Sequence, residues 1–232
     1  MSDKNKIWIC SVDIGKKNFC FYIEETNFNS LKRLKNVEYS VRYNENGTPT
    51  TDMKKLLQKV GKNGKTILHI NKDLTYDTDK EKYFDKKIYY NMIEHLDSHK
   101  EYLSKCSIFV VEQQMIKNSM ATRLGQHCLT YFMCRYPETT VVEFPSYNKT
   151  CVLGAEKTKG NMNKNGKYKW KTMDQRKRKK WAVTKAYEIL TERGESETMD
   201  NIKTKSKKDD LSDTVIQLWA FKYLYFVNKT EF

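Results

Sequence analysis

The feature that most constrains the fold is a pair of short, nearly continuous apolar runs that each end on an acidic residue. Residues 7–12 read IWICSV and precede Asp13, and residues 106–111 read CSIFVV and precede Glu112. Runs of this kind are typical of strands that are buried on both faces of a sheet. Turn residues after Asp13, followed by the apolar run 19–23, predict a β-hairpin.

The rest of the chain predicts alternating strands and helices. Further strands are expected over 34–43 and 140–144, and helices over 83–103, 118–135 and 181–190; residues 66–70 could form one more short strand, which the order below does not count. A last helix is expected to begin near Asp210. The order strand, strand, strand, helix, strand, helix, strand, helix, helix predicts an α/β protein with a mixed β-sheet flanked by α-helices.

The length of 232 residues predicts a single domain, spanning 1–232. No apolar run approaches the roughly 18 residues of a membrane span, and the first residues are polar, so we expect neither a membrane helix nor an export signal. The six cysteines contain no CxxC pair and are expected to be reduced, cytosolic thiols. No cysteine or histidine cluster has zinc-ligand spacing.

The charge balance indicates a polyanionic partner. The chain has 43 basic and 29 acidic residues, a net charge of +14, which favours nucleic acid, although solubility alone would also account for it. Residues 154–180 are rich in lysine and poor in apolar side chains. They are predicted to form a basic loop insertion in the domain.

This segment supplies most of the candidate DNA-binding residues. Its cations could contact phosphates, and its two aromatic residues could stack on unpaired bases; a solvated surface loop is the alternative. The candidates are Lys157, Lys159, Lys164, Lys167, Tyr168, Lys169, Trp170, Lys171, Arg176, Lys177, Arg178, Lys179, Lys180 and Lys208.

Four acids lie where acids are costly. Asp13 and Glu112 end buried strands, where a carboxylate must be paired, protonated or bound to a metal. Asp210 and Asp213 are three residues apart and share a helix face, where a divalent cation would relieve their repulsion. Such oxygen ligands suit Mg²⁺ or Mn²⁺. Each acid also has a simpler interpretation: Asp13 could shape a turn, and Asp209 or Asp210 could cap a helix.

Three motifs together resemble a known family. The segments SVDIGKKN (11–18), IFVVEQQ (108–114) and KKDDLSD (207–213) are similar to those of the ribonuclease H-like Holliday junction resolvases. The nearest branch is the poxvirus Holliday junction resolvases, which are related to RuvC and to the fungal mitochondrial resolvases. The resemblance extends over about 7–226, and it depends on the order and spacing of the motifs rather than on any one of them.

The resemblance implies a ribonuclease H-like fold and a homodimer that cuts opposed strands of a four-way DNA junction symmetrically. It implies resolution of branched and concatemeric viral replication intermediates, and hence a location in the host cytoplasm. By motif matching, Asp13, Glu112, Asp210 and Asp213 are the catalytic metal ligands, with Asp209 as an alternative to Asp210. The helix over 118–135 would lie near a partner helix, with His127 as a polar interface or core residue.

This ligand set predicts two Mg²⁺ ions per active site, with Mn²⁺ able to substitute. One ion would activate the attacking water, and the other would stabilise the leaving 3′ oxygen. Lys207 or Lys208 could stabilise charge on the phosphate, or could simply be exposed. Two other functions stay open: another ribonuclease H-like nuclease, acting on RNA–DNA hybrid or as a transposase, and a non-catalytic DNA-binding protein.

Overall fold

A five-stranded mixed sheet forms the centre of the structure, a computed structural model that describes residues 5–78, 85–162, 165–166 and 168–232. The strand order is β3-β2-β1-β4-β5. β1, β2 and β3 are antiparallel neighbours, whereas β4 and β5 run parallel to β1. The strands are β1 (Lys6–Asp13), β2 (Phe19–Asn27), β3 (Lys65–Lys72), β4 (Cys106–Gln113) and β5 (Thr140–Pro145).

Helices and one separate hairpin complete the described fold. The hairpin consists of β6 (Thr158–Met162) and β7 (Tyr168–Lys171). A π-helical stretch, Tyr223–Val227, follows the last helix. The helices are α1 (Phe28–Lys32), α2 (Thr51–Lys62), α3 (Lys87–Asp97), α4 (Lys100–Leu103), α5 (Ser119–Arg135), α6 (Tyr147–Val152), α7 (Gln175–Arg193), α8 (Ser196–Thr204) and α9 (Lys208–Lys222).

Helices cover both faces of the central sheet, because strand side chains alternate between the two faces. On one face, Ile9 and Val110 belong to a cluster with buried residues of α2, α7 and α9. On the other face, Val12 and Phe109 belong to a cluster with residues of α3 and α5. α9 is buried on nearly all sides. The predicted mixed sheet flanked by helices is confirmed.

The tight turn after β1 explains one glycine near the end of that strand. A Cβ atom at Gly15 would lie 2.8 Å from the carbonyl oxygen of Asn18, closer than side-chain carbons approach a backbone oxygen. Only glycine therefore allows the chain to turn back into β2 directly after Asp13.

The strand predicted over 34–43 is wrong. This stretch contains the 3₁₀ turn Tyr39–Val41, and the third strand of the sheet is β3, close to the prediction for 66–70. Asn36 accepts a hydrogen bond from its neighbour's backbone N–H, and Arg42 donates to the Val37 carbonyl. Side chains thus bond backbone groups that a strand would pair in a ladder.

The basic segment 154–180 is not a loop. It contains β6, β7 and the first turns of α7, which begins at Gln175 rather than at the predicted 181. Trp170 pairs with Lys159 across the hairpin, and the Asp174 side chain caps α7 by accepting from the Lys177 N–H. The sequence patterns did not predict helices α1, α2, α6 and α8.

The other predicted elements agree closely with the structure. The strand expected over 140–144 is β5, the helix expected over 118–135 is α5, and the last helix begins at Lys208. The helix expected over 83–103 is divided into α3 and α4, and its first two residues lie outside the described ranges. No helix in the described part of the chain is long and apolar enough to cross a membrane.

Candidate active site

Two of the predicted acids lie side by side at one edge of the sheet. Val12 of β1 pairs with Val111 of β4 in the parallel ladder, so Asp13 and Glu112 are the next residues on adjacent strands. Ser11, two residues before Asp13, contacts α9. Because strand side chains alternate, Asp13 and Glu112 project toward the same face, the one that α9 covers.

Helix α9 brings the other two acids to this edge. Its first turn contains Asp209 and Asp210, where the positive end of the helix dipole favours negative charge. Asp213 lies one turn further along the helix and is partly exposed. The charge of Asp213 acts on Asp13 and that of Glu112 acts on Asp213. The structure therefore brings together the strand-end acids and the helical pair.

A lysine that no sequence motif singles out lies among these acids. Lys149 of α6 donates a hydrogen bond from Nζ to Glu112 Oε1 at 3.0 Å, and its Nζ lies 3.6 Å from Asp213 Oδ1. Only 7% of its side chain is exposed. No motif marks this lysine in the sequence, because it follows β5 in a short helix that periodicity did not predict.

The charges of this cluster are unbalanced. Burial raises the pKa of Asp13 well above its ordinary value, and the charge of Glu112 adds to the shift. Burial likewise raises the pKa of Asp213, against the lowering effect of Lys149. Burial would also raise the pKa of Glu112, but the Lys149 ammonium keeps it below its ordinary value. One buried ammonium thus does not neutralise the carboxylates around it.

Lys149 itself is held in its charged form. Burial alone would lower the pKa of Lys149, but the negative charges of Glu112, Asp213 and Asp13 raise it above its ordinary value. The side chain is therefore a fixed positive charge at the edge of the sheet, at any pH near neutrality.

A second lysine separates the roles of Asp209 and Asp210. Lys179 of α7 forms an ion pair with Asp209, and the hydrogen bond between them raises the pKa of Lys179. Burial and the charge of Asp209 raise the pKa of Asp210 to about 6. Asp209 is thus compensated by Lys179, whereas Asp210 carries excess negative charge. Lys207 and Lys208 are exposed on the surface beside them.

The donor set fits a hard divalent cation in chemistry and charge. The available donors are carboxylate oxygens, the ligands that Mg²⁺ prefers. Burial raises the pKa values of Asp13 and Asp213, the charge of Glu112 adds to both shifts, and a bound cation would favour the charged carboxylates. In the described ranges, no three Asp, Glu, His or Cys side chains are close enough to hold a metal ion. The Lys149 ammonium lies between Glu112 and Asp213 instead.

The described candidates for DNA binding lie in the segment after α6, in the first turns of α7 and, for Lys208, at the start of α9. Lys157 and Trp170 are half-buried, whereas Lys164 and Lys167 lie outside the described residues. The remaining candidates are exposed: Lys159, Tyr168, Lys169, Lys171, Arg176, Lys177, Arg178, Lys179, Lys180 and Lys208.

Side chains of β7 in the β6–β7 hairpin alternate between its two faces. Tyr168 and Trp170 are two residues apart and share one face, while Lys169 and Lys171 occupy the other. The Lys159 ammonium lies 4.9 Å from the centre of the Tyr168 ring and 5.9 Å from that of Trp170, within cation–π range. One face of the hairpin thus carries the two aromatic rings with Lys159 against them, and the other carries Lys169 and Lys171.

Most of the apolar stripe on α5 faces the core. Leu124, Cys128 and Tyr131 are buried against the sheet. His127 is exposed, and its ring lies 4.3 Å from that of Tyr89 on α3. The stripe is therefore core packing, and the neighbouring outer surface carries His127.

Comparison with known proteins relates the chain to viral sequences. It is 33% identical over 231 residues to uncharacterized protein 170L of Invertebrate iridescent virus 6, covering 96% of this chain and 92% of that protein. The chain belongs to the 170L family. Protein 97L of Invertebrate iridescent virus 3 is 27% identical over 225 residues, covering 92% of this chain and 98% of that protein. No protein-family model matches the chain.

Solved structures relate the fold to a resolvase. The Fowlpox virus resolvase, solved with its substrate Holliday junction DNA, superposes with a TM-score of 0.53 and 16% identity over 94% of this chain and 99% of that one. The yeast mitochondrial Holliday junction resolvase Ydc2 gives a TM-score of 0.46 and 10% identity over 95% and 83%. This member of the 170L family therefore has the fold of the Fowlpox virus resolvase, which confirms the expected resemblance at the level of the fold.

Proposed function

We propose that this chain is a metal-dependent endonuclease that resolves four-way and branched DNA. One observation carries the proposal: Asp13 and Glu112, at the ends of adjacent strands, meet Asp213 of α9 around the Lys149 ammonium. They do so on a fold shared with a resolvase solved on Holliday junction DNA. Buried, charge-excess carboxylates of this kind are typical of functional sites rather than of structural ones.

The carboxylates would hold the metal. We assign Asp13, Glu112, Asp210 and Asp213 as ligands for Mg²⁺, with Mn²⁺ able to substitute and with two ions per site. Bound there, the ions would supply Lewis-acid stabilisation of charge at a scissile phosphodiester. Asp210 is preferred to Asp209 because Asp209 already forms an ion pair with Lys179.

Lys149 would act as a fixed positive charge. Its hydrogen bond to Glu112 Oε1 orients that carboxylate, and its ammonium remains charged because three acids surround it. A preorganised cation in a water-poor site stabilises negative charge that develops on a phosphate. This role replaces the one considered for Lys207 and Lys208, which are exposed.

The basic surface would bind the DNA. The exposed cations at the start of α7 and on the β6–β7 hairpin would contact phosphates, and Tyr168 and Trp170 would stack on unpaired bases. A homodimer would place two active sites on one junction, so that both strands are cut within one complex. We place this activity on branched and concatemeric replication intermediates in the cytoplasm of the host, in line with the viral relatives.

Cleavage assays on labelled substrates test the proposal. The protein is incubated with a mobile four-way junction, the matched duplex and an RNA–DNA hybrid, in Mg²⁺ and in EDTA. We expect paired nicks in the junction only when Mg²⁺ is present. Preferential cutting of the hybrid would instead indicate another ribonuclease H-like nuclease, and binding without cutting would indicate a non-catalytic DNA-binding protein. Light scattering tests for the dimer.

Two sets of variants test the binding surface. Neutralising Lys177, Arg178 and Lys180 together should flatten the dependence of log affinity on log salt by about 0.9 for each phosphate that the protein no longer neutralises. Replacing Tyr168 and Trp170 by alanine should cost about 1–3 kcal/mol per stacked base with little change in that slope. If neither set changes junction affinity, the segment does not bind DNA. Lys179 is left intact because it pairs with Asp209.

A further inference from the structure

A buried glutamine joins the three elements that carry the acids. Gln217 of α9 is fully buried. Its Nε2 lies 3.0 Å from Ser11 Oγ, 3.2 Å from the Val12 carbonyl and 3.1 Å from the Val110 carbonyl. The amide therefore bonds β1 directly before Asp13, and β4 two residues before Glu112.

The spacing of helix and strand places Gln217 one layer below the acids. Asp213 precedes Gln217 by four residues on the same helix face, a rise of about 6 Å at 1.5 Å per residue. Asp13 follows Ser11 by two residues, as Glu112 follows Val110, a step of about 6.6 Å at 3.3 Å per residue. The two steps are similar in length, and Lys149 Nζ, 3.0 Å from Glu112 Oε1 and 3.6 Å from Asp213 Oδ1, shows that the helix and strand acids lie at the same level.

Packing alone does not require an amide at this position. Ala220 and Phe221, one turn further along the same face of α9, are buried and apolar. An apolar side chain at 217 would fill the space without the cost of desolvating an amide. Gln217 Oε1 has no hydrogen-bond partner among the described residues, which adds to that cost. Buried polar groups of this kind are known to fix the register of packed helices.

We propose that Gln217 is a positioning residue that sets the register of α9 against β1 and β4, and so the separation of Asp213 and Asp210 from Asp13 and Glu112. The inference rests on the proposed metal-dependent function. Loss of the amide would allow α9 to shift along the sheet, and the carboxylates would no longer converge. Supporting groups behind metal ligands typically contribute 10–100-fold in metal affinity or activity.

The test uses the full-length protein and Gln217→Met, which keeps the length of the side chain and removes the donor. Trp219→Phe is the matched control, because it removes a buried hydrogen bond from the same helix to the Leu57 carbonyl of α2, away from the acids. Mn²⁺ binding is measured by electron paramagnetic resonance without DNA. Thermal unfolding and junction binding in EDTA are measured in parallel.

We expect Gln217→Met to raise the Mn²⁺ concentration for half-saturation by about 10-fold or more, with junction binding in EDTA unchanged and cleavage partly recovered by excess Mn²⁺. Trp219→Phe should lose stability but keep its Mn²⁺ affinity. Ser11→Ala removes one of the three acceptors and should shift half-saturation in the same direction by less, which keeps the proposal testable if Gln217→Met does not fold.

Two failures are distinguishable. If the wild-type protein neither binds Mn²⁺ nor cuts a junction, the proposed function is wrong before any variant is compared. If the wild-type protein binds Mn²⁺ and cuts a junction, but Gln217→Met has the same Mn²⁺ affinity as Trp219→Phe, the proposed role of Gln217 is wrong. If Gln217→Met does not fold and Ser11→Ala keeps the wild-type Mn²⁺ affinity, the proposed role of Gln217 is also wrong.

Discussion

Two clusters of buried charge lie on the same face of the sheet, and α9 connects them. At its N-terminal end the helix brings Asp210 and Asp213 to Asp13, Glu112 and Lys149. At its C-terminal end, Lys222 meets Glu24 of β2. We call these the strand-end cluster and the Glu24 cluster. They differ in the balance of their charges.

The Glu24 cluster is fully compensated. Glu24 accepts hydrogen bonds from Arg193 Nη1 at 2.8 Å and Thr26 Oγ1 at 2.8 Å, and also from Lys222 Nζ. Burial would raise the pKa of Glu24, but Arg193 and Lys222 hold it below its ordinary value. Arg193 also lies 4.0 Å from Glu195 Oε1, so two cations face two carboxylates and the charges of this cluster balance.

In the strand-end cluster the acids outnumber the ammonium, and the pKa values of Asp13 and Asp213 are raised. Replacing one carboxylate would lower this cost, so the excess of acids supports the proposal that the cluster serves chemistry rather than stability. Burial alone therefore does not distinguish the two clusters. The balance of their charges does.

The largest expected effect falls on the Glu24 cluster. Glu24→Gln leaves Arg193 and Lys222 buried without their carboxylate and should cost about 3–5 kcal/mol of unfolding free energy. Glu25→Gln is the control, since 44% of the side chain of its partner Lys6 is exposed and an exposed pair contributes at most about 1 kcal/mol. Urea unfolding measures both. If Glu24→Gln loses no more unfolding free energy than Glu25→Gln, the Glu24 cluster does not stabilise the fold and the two clusters do not differ in this way.

The next effect falls on the strand-end cluster and concerns activity. Asp13→Asn, Glu112→Gln, Asp210→Asn and Asp213→Asn should each reduce junction cleavage more than about 100-fold, because each removes charge that would hold metal. Single-turnover cleavage measures the loss. Glu143→Gln makes the same chemical change at an exposed position on the adjacent strand β5 and should leave cleavage intact. Full activity of any of the four would remove that residue from the site.

Acid should weaken the Glu24 cluster specifically. The pKa of Glu24 is lowered on folding from its ordinary value near 4.5. The unfolded chain therefore takes up this proton first, and the stabilisation is lost as the pH falls below about 4.5 and through the folded pKa. One proton limits the slope to about 1.4 kcal/mol per pH unit. Urea unfolding between pH 3 and 7 measures the unfolding free energy at each pH. Its dependence on pH should be weaker in Glu24→Gln than in the wild-type protein. An equal dependence would mean that Glu24 is not the group whose protonation destabilises the fold.

The smallest expected effect has the opposite sign to that of Glu24→Gln. In EDTA, Asp13→Asn removes a carboxyl group whose pKa is raised by burial and by Glu112, so it should stabilise the metal-free protein by on the order of 1 kcal/mol. Thermal unfolding of the two proteins in EDTA measures the change. A lower midpoint for Asp13→Asn would mean that the strand-end cluster contributes to stability as the Glu24 cluster does.

Local sequence patterns determined the framework that carries the acids. The apolar runs before Asp13 and Glu112 specify buried strands, because a strand covered on both faces has no polar alternation. The spacing of Asp210 and Asp213 puts both on one face of a helix because of its 3.6-residue period. These patterns involve residues close together in the chain, which is why they were readable without the structure.

Sequence patterns predicted the wrong secondary structure for two segments, residues 154–180 and 34–43. The basic segment lacks apolar residues and was expected to be a loop, yet cross-strand pairing of Trp170 with Lys159 and the Asp174 cap organise it into a hairpin and a longer helix. The stretch around Tyr39 has strand-like composition but uses its side chains to bond its own backbone.

Only the tertiary structure decided which residues complete the two clusters. Lys149 is 37 residues from Glu112, Arg193 is 169 residues from Glu24, and Gln217 is 206 residues from Ser11. Nothing in the sequence near Lys149 or Gln217 distinguishes either from an ordinary surface lysine or helical glutamine. Their roles depend on the path by which the chain brings α6, α7 and α9 onto one face of the sheet, where burial makes each of these contacts energetically decisive.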